Sequence, residues 1–262
     1  MEYIIVIIVA LLASGLTFFS GFGLGTLLLP AFAVFFPIDV AIAATAIVHL
    51  GNNLLKVMLV GRNANLKTLF IFGIPSAIAS FAGASVLAGL GHVQPLFTYS
   101  LFSPTHSVTI TKLLVAILMV FFALFELIPS LRDKTFHPKY MMLGGFVSGF
   151  FGGLSGHQGA LRTGFLARSG LKKDELIGTM VAIAIMTDLA RLTVYGSTFI
   201  TVHLQSISSN NVLSVVAVGM IAAFVGTVVG KNLVKKVTLQ FIQKIVAVML
   251  IVIALLVGSG II

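Results

Sequence analysis

The chain has no cysteine and no tryptophan, and charged residues make up only 9% of its 262 positions. Without cysteine there is no disulfide, no thiolate metal site and no cysteine nucleophile. Without tryptophan, an interfacial aromatic belt must rest on four tyrosines and the phenylalanines. The scarcity of charge excludes a soluble domain of this size, which needs about a quarter of its residues charged. Chemistry-bearing motifs are scarce too. There is no P-loop and no His-Glu-x-x-His, and the glycines from Gly23 to Gly25 lack the strand and acidic follow-up of a dinucleotide site. No metal, no cofactor and no enzymatic activity is therefore expected. Met1-Glu2-Tyr3 has no basic n-region, and the apolar stretch after it is too long for an h-region, so no cleavable signal is expected.

What is present is apolar. Hydrophobic residues are 58% of the chain and the mean hydropathy is +1.15. The charges cluster between long apolar runs, the pattern of a chain whose solvent is mostly lipid. The net charge of +9 would suggest nucleic acid in a soluble protein. Here it reads as loop lysine and arginine that orient spans, so the partner is the lipid bilayer and not nucleic acid.

The first run, Tyr3 to Phe36, is too long for one span of about 20 residues, and its middle, Ser20-Gly21-Phe22-Gly23-Leu24-Gly25, is poor helix sequence. Spans follow at Val40–Val60, Thr68–Leu90 and Lys112–Ile128, with Gly91–Thr111 reading as an external loop. The pattern then restarts. Tyr140–Gly170 is broken at Gly152–Gly159, and further spans lie at Leu176–Phe199, Val212–Val229 and Leu239–Val257, with a short polar loop at His203–Asn211. Local matches keep their order across the halves: Ser20-Gly21 with Ser155-Gly156, Ala43-Ala44-Thr45 with Ile177-Gly178-Thr179, and the segment ending at Gly83 with that ending at Gly226. Such internal repeats mark many transporter folds. The divisions are 1–129 (first membrane repeat), 130–139 (basic cytoplasmic linker) and 140–262 (second membrane repeat).

Charge decides how the broken runs are threaded. If each crossed the membrane, five basic residues would face seven, which gives no orientation. If each is a hairpin entering and leaving on one side, Arg62, Lys67, Arg132, Lys134, Lys139, Arg168, Lys172, Lys173, Lys231, Lys235 and Lys236 share one face, and only Lys112 lies near the other. Eleven against one is a clean positive-inside assignment. Half-helices at Thr26–Phe36 and Ala160–Gly170 would reach about 16 Å, roughly half the hydrocarbon thickness. One hairpin plus three crossings per repeat makes the repeats inverted. The expected fold is thus an all-α polytopic membrane protein of two inverted repeats, each a broken re-entrant helix hairpin plus three transmembrane helices, with both termini outside. The competing reading is that the glycines only allow close helix packing.

Polar groups at membrane depth are costly, so those present are candidates for function. The second span carries His49, Asn52, Asn53 and Lys56, and its counterpart carries Thr187, Asp188 and Arg191. Asn52-Asn53 and Thr187-Asp188 occupy equivalent central positions that an inverted repeat would bring together. Asp188 and Arg191 can pair at i, i+3, which leaves open a purely structural role. Lys56 could snorkel, His49 could be an ordinary interhelical histidine, and Glu126 lies close enough to a helix end to be solvated. The half-helix N-termini offer unpaired N–H groups and partial positive charge, two of them converging on one midplane spot. Substrate-binding candidates are therefore Ser20, Gly21, Phe22, Gly23, Gly25, Thr26, Asn52, Asn53, Ser155, Gly156, His157, Gln158, Gly159, Arg162, Thr187 and Arg191, with Asp188 and His49 as proton-coupling candidates.

Ser20-Gly21-Phe22-Gly23-Leu24-Gly25-Thr26-Leu27-Leu28-Leu29-Pro30, followed by Ala43-Ala44-Thr45, resembles the first repeat of the TauE/SafE sulfite-exporter family. Ser148-Gly149 through Thr179 resembles its second repeat, so the resemblance covers nearly the whole chain. The chain departs from the family pattern at His157-Gln158-Gly159-Ala160-Leu161-Arg162, where the family tends to have glycines followed by apolar residues and proline. The resemblance implies export of sulfite or transport of organosulfonates and other small sulfur-containing anions across the cell (inner) membrane. The expectation is a secondary transporter that moves a small inorganic or organosulfur anion outward. An anion-selective channel or a structural subunit of a membrane complex is the alternative, and a homodimer is compatible with all three.

Overall fold

The computed structural model describes residues 1–17, 24–91, 93–100, 105–132, 134–209, 211–233 and 239–262. The fold is all-helical apart from one short hairpin. Helix α1 (Glu2–Leu16) precedes α2 (Leu24–Ala33) and α3 (Ile38–Val60). One turn, α4 (Leu66–Thr68), leads through a π-turn at Leu69–Gly73 into α5 (Ile74–Leu90). Strands β1 (Phe97–Ser100) and β2 (Thr105–Val108) precede α6 (Ile110–Leu127) and the single turn α7 (Pro129–Arg132). Then come α8 (Met141–Ser155), α9 (Gly159–Leu166), α10 (Lys173–Ser209), α11 (Val212–Leu233) and α12 (Leu239–Gly258).

Among the described residues five helices are long and apolar enough to cross a bilayer: Ile38–Leu59, Leu66–Leu90, Ile110–Leu127, Lys173–Ser197 and Val212–Gly230. With α12, whose apolar stretch is Ala247–Gly258, they make a multi-pass membrane protein. Their exposed faces carry Ile47, Leu54, Phe70, Ile78, Ile117, Leu189 and Ile221, side chains that suit lipid and not water.

The second long run is broken as the sequence predicts, between Ser155 and Gly159, while the break expected in the first lies outside the described residues; the short helices have 10 (α2) and 8 (α9) residues. These are shorter than Thr26–Phe36 and Ala160–Gly170. Pro37 disfavours helix in the residue before it, so α2 gives way to a turn through Phe36. After α9 the chain turns at Ala167–Ser169 and passes through Gly170 at φ +77°. The α8–α9 pair folds back on itself. Gly144 near the start of α8 abuts Phe165 near the end of α9, while Gly152 abuts Gln158 at the turn. The incoming linker meets the outgoing end, with Phe136 N–H donating to the Gly164 carbonyl at 3.2 Å and its ring stacked on Phe165 at 4.1 Å.

Helix packing respects the two halves. α8 packs on α5 and α1 on α11, α6 packs on α12, and α3 crosses α10. Exchanging α1–α6 with α8–α12 carries the α8–α5 pairing onto α1–α11 and leaves the α6–α12 and α3–α10 pairings unchanged. Small residues make the closest ones possible. A side chain on Gly149 or Gly153 of α8 would collide with the carbonyls of Ser76 or Ser80 on α5, and one on Gly226 of α11 would collide with Leu11 of α1. The glycines of α8 that face α5 thus serve close packing, as small residues do in lipid.

Four expectations need correction. Gly91–Thr111 is not wholly loop: Phe97–Ser100 pairs antiparallel with Thr105–Val108, and Tyr99 donates to the Ser259 carbonyl at 2.7 Å. His203–Asn211 is not a loop up to Ser209, because α10 runs unbroken for 37 residues. Residues 198–209 are polar but contain neither glycine nor proline, so nothing stops the helix. Glu126 is buried and not solvated, although it lies in the last turn of α6. Lys56 is likewise buried and does not snorkel.

Candidate functional site

At the α3–α10 crossing the two halves exchange polar side chains. On α3, His49, Asn52 and Asn53 fall on one face at i, i+3 and i+4, and on α10 Thr187, Asp188 and Arg191 share a face at i, i+1 and i+4. Asp188 ties the faces together. Its Oδ1 accepts from Arg191 Nη2 at 2.7 Å and Nε at 3.1 Å, and its Oδ2 meets His49 Nδ1 at 2.7 Å and accepts from Asn53 Nδ2 at 3.3 Å. Four donors satisfy a carboxylate that is fully buried. The neighbouring spans complete the frame: Thr227 on α11 donates to Asn52 Oδ1 at 2.7 Å, and Ser80 on α5 donates to the Thr187 carbonyl at 3.0 Å.

The hairpin tips converge on this crossing. Gly156 ends α8 in the left-handed region at φ +81°, and a methyl group there would lie 2.9 Å from Arg191 Nη1. Glycine is needed on both counts. Ser155, Gly156, His157, Gln158 and Gly159 form the turn, which Ser148 braces by donating to the Gln158 carbonyl at 3.1 Å and Tyr195 by donating to the Gly153 carbonyl. The first tip arrives at Gly25. A methyl group there would lie 3.6 Å from His49 Cδ2 and 3.8 Å from both the Gly156 carbonyl oxygen and Thr45 Cγ2. Gly25 and the half-buried Thr26 open α2, as Gly159 opens α9, so both short helices start beside the crossing. Arg162 is buried one turn into α9, within electrostatic reach of Asp188. Ser20, Gly21, Phe22 and Gly23 lie outside the described residues.

Several polar atoms at this centre are buried and have no hydrogen-bond partner among the described residues: Thr45 Oγ1, Asn52 Nδ2, His157 Nε2, both amide atoms of Gln158, and Arg191 Nη1. Each such atom costs about 1–3 kcal/mol if left unmet. They gather beside the Gly156 turn and the α3–α10 crossing, and buried polar atoms left without partners call for an explanation. Charged side chains buried among the described residues are Lys56, Arg162, Arg191, Glu126 and Asp188, of which Arg191 and Asp188 pair at the crossing.

A family model, sulfite exporter TauE/SafE, matches residues 6–257. The chain belongs to the TauE/SafE sulfite exporter family. No curated protein and no solved structure matches it. TauE/SafE proteins form a transporter family, so this chain is a multi-pass membrane transporter.

Some groups at the TauE/SafE chain's centre escaped sequence reasoning. Ser80, Thr227 and Tyr195 brace the crossing, and Phe122 on α6 lies flat on the His157 ring with centroids 5.5 Å apart and planes 9° apart. Tyr195 was within reach of inference, one turn beyond Arg191 on the same helix face. Phe122 was not, being one of 22 phenylalanines in apolar helices.

Proposed function

We propose that the protein is a secondary transporter exporting a small sulfur oxyanion, sulfite or an organosulfonate, through a midplane site between the two hairpin tips. The observation that carries the reading is the set of unpartnered buried polar atoms, led by Arg191 Nη1 and Gln158 Nε2, where the tips meet the α3–α10 crossing. Two short helices start there, and each N-terminus contributes about half a positive charge. An oxyanion has several acceptor oxygens, so convergent N–H groups can replace its water shell. The packing of each half against the other, α8 on α5 and α1 on α11, supports inverted repeats that rock about the fixed site. His49 and Asp188 are the proposed proton-handling pair, because they join the halves and one of them titrates near neutral pH when unperturbed.

The test is calorimetric anion affinity of the purified protein beside Gly25→Val, Gly159→Val and Arg162→Gln. The space around Gly25 accepts a first methyl at ordinary contact distance, so Gly25→Val fills the site without displacing backbone. Sulfite affinity should fall at least about tenfold in all three, the equivalent of losing one charge-assisted hydrogen bond. Unchanged affinity in all three removes the site from the tips.

A further inference from the structure

His157 carries one ring nitrogen whose role its neighbours fix. Ser155 Oγ has a single hydrogen and donates it to the Phe151 carbonyl at 3.2 Å. Toward His157 Nδ1, 3.1 Å away, that oxygen can only accept. Nδ1 therefore holds the hydrogen, and the neutral ring presents a bare lone pair at Nε2. Phe122 stacked on the ring holds its plane. Nε2 has no partner among the described residues, and His157 is only 3% exposed.

That lone pair stands next in sequence to the two groups best placed to grip an anion. Gly156 lies against Arg191 Nη1, and Gln158 carries a free amide. A lone pair repels the bare oxygen of an anion and attracts a hydrogen. Gln158 Oε1 adds a second unmet acceptor. A site that only had to hold a fully deprotonated oxyanion would have donors throughout.

We propose that His157 is a specificity-determining residue that selects an anion carrying its own hydrogen: the singly protonated anion of a weak diprotic oxyacid. The ligand's oxygens accept from Arg191 Nη1 and Gln158 Nε2, and its hydrogen is donated to His157 Nε2. No proton changes owner in this step. The inference rests on the tips being an anion site and says which protonation state that site takes.

Three monoanions with three oxygens each separate hydrogen from size and charge: hydrogen sulfite, offered in mildly acid buffer, chlorate, which has no hydrogen, and methanesulfonate, in which a methyl replaces it. Calorimetry on the purified full-length protein should give hydrogen sulfite an affinity about ten- to a hundredfold above chlorate and methanesulfonate, the penalty for leaving one buried acceptor unpaired. His157→Phe keeps the stack on Phe122 and removes the lone pair, so the ratio should fall to about one while chlorate still binds. Chlorate binding the parent as tightly as hydrogen sulfite overturns the proposal without recourse to a variant. So does a His157→Phe protein with the parent's ratio. Failure of all three anions to bind the parent overturns the anion site itself.

Discussion

At the scale of single residues, Asp188 organises the centre by using every acceptor position it has. Its hold on Arg191 through Nε and Nη2 leaves Nη1 directed elsewhere, beside Gly156. Removing one partner of a buried ion pair costs about 3–5 kcal/mol, because the other charge is stranded. Asp188→Asn should therefore lower the thermal unfolding midpoint in detergent sharply and weaken anion binding by releasing Arg191. Asn53→Ala removes the 3.3 Å bond to Asp188 and the 3.1 Å contact with His49 Nδ1, strands no charge, and should cost about 1 kcal/mol. An Asp188→Asn protein as stable as the parent would show that the pairing contributes nothing. The i, i+3 spacing made the Asp188–Arg191 pair legible in the sequence. His49 reaching Asp188 across 139 positions was legible only through the repeat, which set Asn53 opposite Asp188.

At the scale of elements, backbone approach decides which glycines matter. Gly153 and Gly226 face carbonyls of α5 and α1, while a side chain on Gly89 would meet nothing within 4 Å. Gly153→Val and Gly226→Val should each part a helix pair and reduce the yield of folded protein in detergent. Gly89→Ala should be neutral or add up to about 1 kcal/mol of helix stability. Equal tolerance of all three by size-exclusion profile and unfolding midpoint would mean the close contacts carry no stability. The sequence showed the break in the second run because a glycine cluster interrupts it. It misled at His203–Asn211, where polarity read as loop although no residue up to Ser209 stops a helix, and at 97–108, where a strand pair hides in a stretch with two nearby prolines.

At the scale of the molecule, the α8–α9 hairpin has its entry and exit side by side, at Phe136 and Gly164. On the orientation we propose from the charge distribution, both lie on the cytoplasmic side. Single cysteines at 135 and 171 should thus react with an impermeant thiol reagent only from inside, and one at 98 only from outside; labelling of 135 and 171 from opposite faces would break the hairpin assignment. Transport itself is tested most directly by counterflow in proteoliposomes holding the purified protein. Vesicles loaded with unlabelled sulfite and diluted into radiolabelled sulfite should accumulate label transiently above its equilibrium level, and Gly25→Val should abolish the overshoot. Label that enters without overshoot and without saturation would contradict a carrier with an anion site between the tips.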